Sequence, residues 1–315
     1  MRKLLLVLAL LPTIVFSQNS WINIQLLTDD YPEETSWTIT PPGGSPIIAQ
    51  SDSIMQDQTL YDTIINLGGT IIVNLYDQYG DGLGGFNGSP QGLWYVSPDQ
   101  LREVIELTLK ENIQIHTHTN GDQATELVLD TLENALLKHP SNDHRFTLQH
   151  CQLANSSQFR RMEKLGLCVN LFANHLYYWG EEHYGKTVGP ERAERMNSCK
   201  TALDNNVPLA IHSDAPVTPL GPLFTAWCAI NRQTISGRIL GESERISIDQ
   251  ALRAITLGAA YTLKLDSEIG SIEVGKKADF AVLEDDPYDV SPENIKDIKV
   301  WGTVQSGRIF SAENI

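Results

Sequence analysis

Three metal-ligand residues, His118, His150 and Asp214, stand far apart in the chain. Each follows a short apolar or β-branched stretch that reads as a strand, at that strand's C-terminal end. In barrels of parallel strands the active site gathers at those ends, so residues scattered in sequence meet in space. Imidazole nitrogen and carboxylate oxygen are ordinary zinc ligands, and a catalytic zinc keeps one position for water. A single such histidine is more often a hydrogen-bonded structural residue. Three in strand-end register point to a cation centre.

The elements that must position these residues begin at Ser97. An amphipathic helix is predicted over Pro98 to Glu111, then a strand over Ile113 to Thr117. Gly121-Asp122 opens a helix whose apolar residues, Ala124, Leu127, Val128, Leu132, Ala135 and Leu136, recur at three- and four-residue spacing. A strand at Phe146 to Gln149 follows, then a helix at Ser157 to Leu165 and a strand at Leu167 to Phe172. Asn174-His175-Leu176 reads as a turn. One helix is predicted over Pro190 to Asn205, a strand at Pro208 to Ile211, and helices at Pro222 to Ile230 and Ser247 to Leu263. Strands alternating with helices indicate parallel βαβ units. The tail returns to short β segments at Asp279 to Leu283, Lys299 to Val304 and Arg308 to Phe310.

The first hundred residues differ. Met1-Arg2-Lys3 followed by the apolar run Leu4 to Val15 has the layout of a secretory signal, expected over residues 1–17. That run is too short for a membrane-spanning helix of about 20 residues. Residues 18–92 show strand patterns at Trp21 to Leu26 and Thr70 to Leu75, punctuated by Gly, Pro and Asp, and read as a β-rich exported module. Within it, Asp77-Gln78-Tyr79-Gly80-Asp81-Gly82 suits either calcium or a plain hairpin turn. The formal charge of −16, from 39 acidic against 23 basic residues, argues against a nucleic-acid or anionic-membrane partner. Cys151, Cys168, Cys199 and Cys228 lie inside apolar patterns, which favours buried thiols over disulfides.

Five segments carry a family resemblance. Ile115-His116-Thr117-His118-Thr119-Asn120-Gly121-Asp122 is similar to the fifth-strand motif of the amidohydrolase-3 branch of the amidohydrolase superfamily. Arg145 to Gln152, with His150, resembles its sixth-strand motif, and His212-Ser213-Asp214-Ala215-Pro216-Val217 its eighth. Thr256 to Ala260 is similar to the helix that follows, and Gly270 to Phe280 to the stretch leading into a β-sandwich. The resemblance runs from Gly92 to Phe310, and some members of the family act on N-substituted formamides.

The resemblance implies that His118 and His150 bind zinc or another divalent metal. Asp214 would ligate it or orient the attacking water, carrying a proton to the leaving nitrogen. His175 would polarise the substrate carbonyl, or merely pack. His116 shares a strand face with His118 and is not expected to ligate.

The fold expected is α/β: a partial TIM-like (β/α) barrel of about the last four βα units over 93–265, C-terminal β-sandwich strands over 266–315, and the small β-rich domain in front. The 167 residues from Ser97 to Leu263 compare with roughly 250 in a whole barrel. The family's first-strand His-x-His pair has no counterpart upstream. His116-Thr117-His118 imitates it, but only three further strands precede the Asp motif. A part-barrel has open edges, so a second copy covering them is one expectation. The functional expectation is metal-dependent hydrolysis of a non-peptide C–N bond in a small-molecule amide. The alternative is a catalytically incomplete exported scaffold or binding protein.

Overall fold

The structure, a computed structural model, describes residues 96–312 with their side chains and, ahead of them, the backbone of six strands. The acidic glycine turn at 78–82 and the leader apart from Leu5–Ala9 lie outside the described residues. The chain divides into two compact units, 1–114 with 135–139, and 115–134 with 140–315.

In the first unit, β1 (Leu5–Ala9), β2 (Ser20–Leu27), β3 (Thr35–Thr40), β4 (Ala49–Gln50), β5 (Leu60–Leu67) and β6 (Ile72–Asp77) form two antiparallel sheets, ordered β1-β2-β5 and β4-β3-β6. Helix α1 (Pro98–Lys110) starts at Ser97, whose side chain accepts from the Gln100 N–H while Gln100 reciprocates, a capping box followed by proline in the first turn.

The second unit is built on β7 (His116–Thr119), α2 (Asp122–Lys138), β8 (Thr147–His150), α3 (Ser156–Leu165), β9 (Cys168–Phe172), α4 (Asn174–Glu182), α5 (Pro190–Glu194), α6 (Cys199–Asp204) and β10 (Leu209–His212). The four strands form one parallel sheet in the order β10-β9-β8-β7, each new strand added beside the last. This is the partial α/β barrel expected. Both faces of β8 and β9 are buried, with Leu148, Val169 and Leu171 on one and Thr147 and Cys168 on the other at 1% exposure or less, as a sheet covered on both faces requires. Helices α7 (Pro222–Asn231), α8 (Ile248–Ala254) and α9 (Leu257–Thr262) follow. α9 packs on β10 through Gly258, where any Cβ would collide with the Leu209 carbonyl. The C-terminal sheet, β11 (Phe280–Leu283), β12 (Val300–Gln305) and β13 (Arg308–Ser311), is antiparallel.

Three local expectations are corrected. The turn at Asn174-His175-Leu176 is the first turn of α4, a helix that runs into a π-helical turn at His183–Thr187. The single helix over 190–205 is two, α5 and α6, broken where Asn197 takes a left-handed φ of 48°. The break is held by Arg232, which is fully buried and donates to the carbonyls of Met196 (2.7 Å), Asn197 (3.0 Å), Leu240 (2.5 Å) and Glu194 (3.4 Å). The helix over 247–263 is likewise interrupted at Thr256, with φ −123° and ψ −92°.

Candidate metal centre

Register places the polar residues before it places the ligands. His118 pairs with Gln149, Gln149 with Asn170, and Ala210 with Asn170, while Phe172 pairs with His212. Strand alternation therefore puts His116, His118, Gln149, Asn170 and His212 on one face of the sheet. A hydrogen-bonded row crosses it: Asn170 Nδ2 donates to Gln149 Oε1 at 2.8 Å, and Gln149 Nε2 donates to His116 Nδ1 at 2.6 Å. His116 is thus engaged by Gln149 and lies outside the ligand group.

Strict alternation would send His150 to the opposite face, beside Leu148. Instead its Nδ1 lies 3.1 Å from His212 Nε2. The backbone supplies the reason. His150 (φ 63°), Cys151 (φ 47°) and, on the neighbouring strand end, Asp214 (φ 54°) all occupy the left-handed region, which ends the pleat and redirects the side chains. Non-glycine residues seldom adopt it, and such strain collects at functional sites. Asn174 Nδ2 donates to Thr218 Oγ1 at 2.9 Å, and Thr218 Oγ1 donates to the Ser213 carbonyl, which ties the chain after β9 to the chain after β10.

The result is a group of three, His150, His212 and Asp214, whose ligand atoms all lie within 4.8 Å of one another. The ring of His118 packs edge-on against His150, centroids 4.4 Å apart, beside the group rather than within it. Of the expected ligands, the structure brings His150 and Asp214 together. It adds His212, a residue of the His212-to-Val217 motif for which no ligand role was expected. The signal was present: His212 is two residues ahead of Asp214 and ends the same strand. His175 lies in the adjoining aromatic cluster. Phe172 sits between it (5.0 Å) and His212 (5.3 Å, stacked).

Electrostatics suit a cation. Burial holds the His150 imidazole well below its ordinary pKa, helped by the neighbouring His118, His212 and His175. Burial and His118 bring His212 down to about 3. Burial with His183 and His212 holds His175 well below the usual range. These rings are neutral at physiological pH, the state in which imidazole ligates. Asp214 is pushed up to about 6 by burial alone. In a tetrahedral site with zinc–nitrogen bonds of 2.0–2.1 Å, two ligand nitrogens lie about 3.3 Å apart. The 3.1 Å between His150 and His212 matches that spacing. Two neutral nitrogens and one carboxylate form a donor set that fits a borderline divalent ion.

The family model described as amidohydrolase family matches residues 75–310. The chain belongs to this family, in its amidohydrolase-3 branch. Among curated relatives, an N-substituted formamide deformylase from Arthrobacter pascens is 29% identical over 69% of this chain and 40% of its own length. The protein LONG AFTER FAR-RED 3 of Arabidopsis thaliana is 30% identical over 63% of this chain and 34% of its own. The chain thus spans well under half the length of these two relatives. A solved structure of an uncharacterized metal-dependent hydrolase from Pyrococcus horikoshii shares the fold, with a TM-score of 0.57 and 23% identity over 67% of this chain and 42% of that one.

Proposed function

We propose that this amidohydrolase cleaves the carbon–nitrogen bond of small-molecule amides, formamides among them, with a divalent metal held by His150, His212 and Asp214 and with His118 next to them. The observation that carries this is the gathering of those three ligand atoms within 4.8 Å at the C-terminal ends of β8 and β10. A cation bound there, zinc in our reading, would supply the charge that brings the pKa of water from 15.7 to about 7.

The chain's own residues do the rest. Asp214, a carboxylate beside the two imidazoles, takes one proton from water as the oxygen attacks the carbonyl carbon. It returns that proton to nitrogen as the C–N bond breaks. An acid and an amine leave. The His116–Gln149–Asn170 row fixes the polar face from which the site is built. The resemblance to a deformylase supports formamides as the first substrates to try.

The test is amine release from a panel of N-substituted formamides and acetamides by protein loaded with zinc, cobalt or manganese. Hydrolysis that stops with a chelator and returns with metal is expected. Protein that binds stoichiometric metal and releases no amine across the panel overturns the catalytic reading in favour of a scaffold. Export and pairing of copies along the open sheet edges belong to the same proposal. N-terminal sequencing of secreted protein and light scattering test them.

A further inference from the structure

Asp214 owes its place in the metal group to one turn of the chain. Just after β10, two hydrogen bonds hold the peptide planes on either side of it. Ahead of Asp214, the Ser213 carbonyl accepts from the Thr218 hydroxyl. Behind it, the Asp214 carbonyl accepts from the Val217 N–H at 2.7 Å. A peptide unit is planar, so fixing both planes sets the two dihedrals of Asp214 and the direction of its Cα–Cβ bond. That setting, with φ at 54°, is one a side chain seldom adopts unless its surroundings impose it.

The two bonds differ in what they ask of the sequence. The bond from Val217 to Asp214 closes an ordinary β-turn and uses backbone alone. The other depends on one side chain. A carbonyl only accepts, so the Thr218 hydroxyl gives its single proton to Ser213. Its oxygen can still accept, and Asn174 Nδ2 lies 2.9 Å away. Asn174 opens α4 just after β9, so this hydroxyl joins the ends of two neighbouring strands. Asn174, Thr218 and Ser213 are 0%, 1% and 6% exposed. In so dry a position bulk water does not replace a lost donor.

We propose that Thr218 is a positioning residue: its hydroxyl locks the turn that aims the Asp214 carboxylate at His150 and His212, and Asn174 holds that hydroxyl in place. This rests on the metal reading above. Part of the site's geometry then lies in residues that touch neither metal nor substrate, and metal affinity depends on the segment that opens α4.

Titration of the metal-free, full-length chain with zinc and with cobalt, followed by calorimetry and by the cobalt absorption bands, tests the lock without any need for turnover. Thr218→Val keeps the shape and loses the hydroxyl. It should bind metal about 10- to 100-fold more weakly, with an altered cobalt spectrum. Thr218→Ser keeps the donor and should restore the affinity of the wild type. Thr131→Val is the control for a general loss of buried hydrogen bonding. Thr131, in the middle of α2, likewise donates to a carbonyl, that of Leu127 at 2.6 Å; its variant should bind metal as the wild type does. Crystals of the metal-free wild type and of Thr218→Val decide independently of binding. Asp214 is expected at positive φ in the first and turned away from the imidazoles in the second. Should Thr218→Val fail to fold, Thr218→Ala takes its place under the same expectations. Unchanged affinity or an unmoved Asp214 in the variant without the hydroxyl, or equal weakening in Thr131→Val, overturns the proposal. A wild type that takes up no metal, with Asp214 moving as expected between the crystals, would instead count against the metal reading alone.

Discussion

The second unit holds two sheets made under opposite rules. The parallel sheet β7–β10 has β9 buried at four of its five positions, with only Asn170 partly open. The antiparallel sheet β11–β13 leaves Val300, Trp301, Ile309 and Phe310 more than 40% exposed. A parallel ladder is stabilised by helices on its faces, and its strand ends become a dry, fixed rim. An antiparallel ladder pairs strand with adjacent strand and tolerates water on its faces. All the residues assigned to chemistry stand on the first sheet or the segments just after its strands. Burial there lowers imidazole pKa values and raises that of Asp214.

That contrast can be broken by substitution. Asp214→Asn keeps the shape but loses the proton carrier, so amide hydrolysis should fall about 10²- to 10⁴-fold; steady-state rates with metal-loaded protein check this. Arg232→Ala strips the bridge from four carbonyls. Hydrogen bonds to charged groups are worth about 1.5–3 kcal/mol each, so urea unfolding should show a loss of roughly 3 kcal/mol or more.

Two glycines sharpen the comparison. Gly258→Ala drives a methyl into the Leu209 carbonyl under the site, and Gly302→Ala drives one into the Phe310 carbonyl of the C-terminal sheet. Each should cost about 1–3 kcal/mol by overpacking. Only the first should also reduce kcat/KM, since only it displaces β10. Equal kinetic damage from both would show that the two sheets are not functionally separate. At the small end, Ile309→Thr, 67% exposed in the wild type, should change stability by less than about 0.5 kcal/mol.

The parallel sheet should also carry an acid-sensitive term. Burial lowers the His144 pKa. Its Nδ1 accepts from the Phe146 N–H at 2.9 Å and its Nε2 lies 2.7 Å from the Leu165 carbonyl, an arrangement that needs the neutral ring. The unfolded chain takes up the proton first, near pH 6.5. This contribution is therefore complete above pH 6.5 and withdrawn as pH falls through the lower folded-state value. Melting temperatures from pH 7.5 to 5 should decline, and less steeply in His144→Gln.

Much of this was legible in the sequence, because period-two and period-3.6 patterns follow directly from burial. The strands ending at Thr119, His150, Phe172 and His212 fell within one or two residues of their predicted ends. The misreadings share a cause. Asn174-His175-Leu176 read as a turn because Asn opens it, yet the helix α4 runs on through Gly180, which fits closely against Leu240 and Thr234. The break at Asn197 depends on Arg232, 35 residues away, and no local pattern encodes it. His212 has no pattern of its own that separates a ligand from an ordinary strand-end histidine; only its approach to His150 and Asp214 in space does. The redirection of His150 needed the backbone angle, which composition does not reveal.

The four thiols draw a last consequence from the dry interior. Cys151, Cys168, Cys199 and Cys228 are all free and buried, and all lie in the parallel-sheet portion rather than in β11–β13. Burial pushes Cys151, Cys168 and Cys199 to about 12, so almost none is thiolate at neutral pH. Alkylating reagents should leave the folded chain untouched and label each sulfur only when its own layer opens. The molecule thus contains a set of intrinsic clocks for local unfolding around the site, readable by mass spectrometry without any engineered probe.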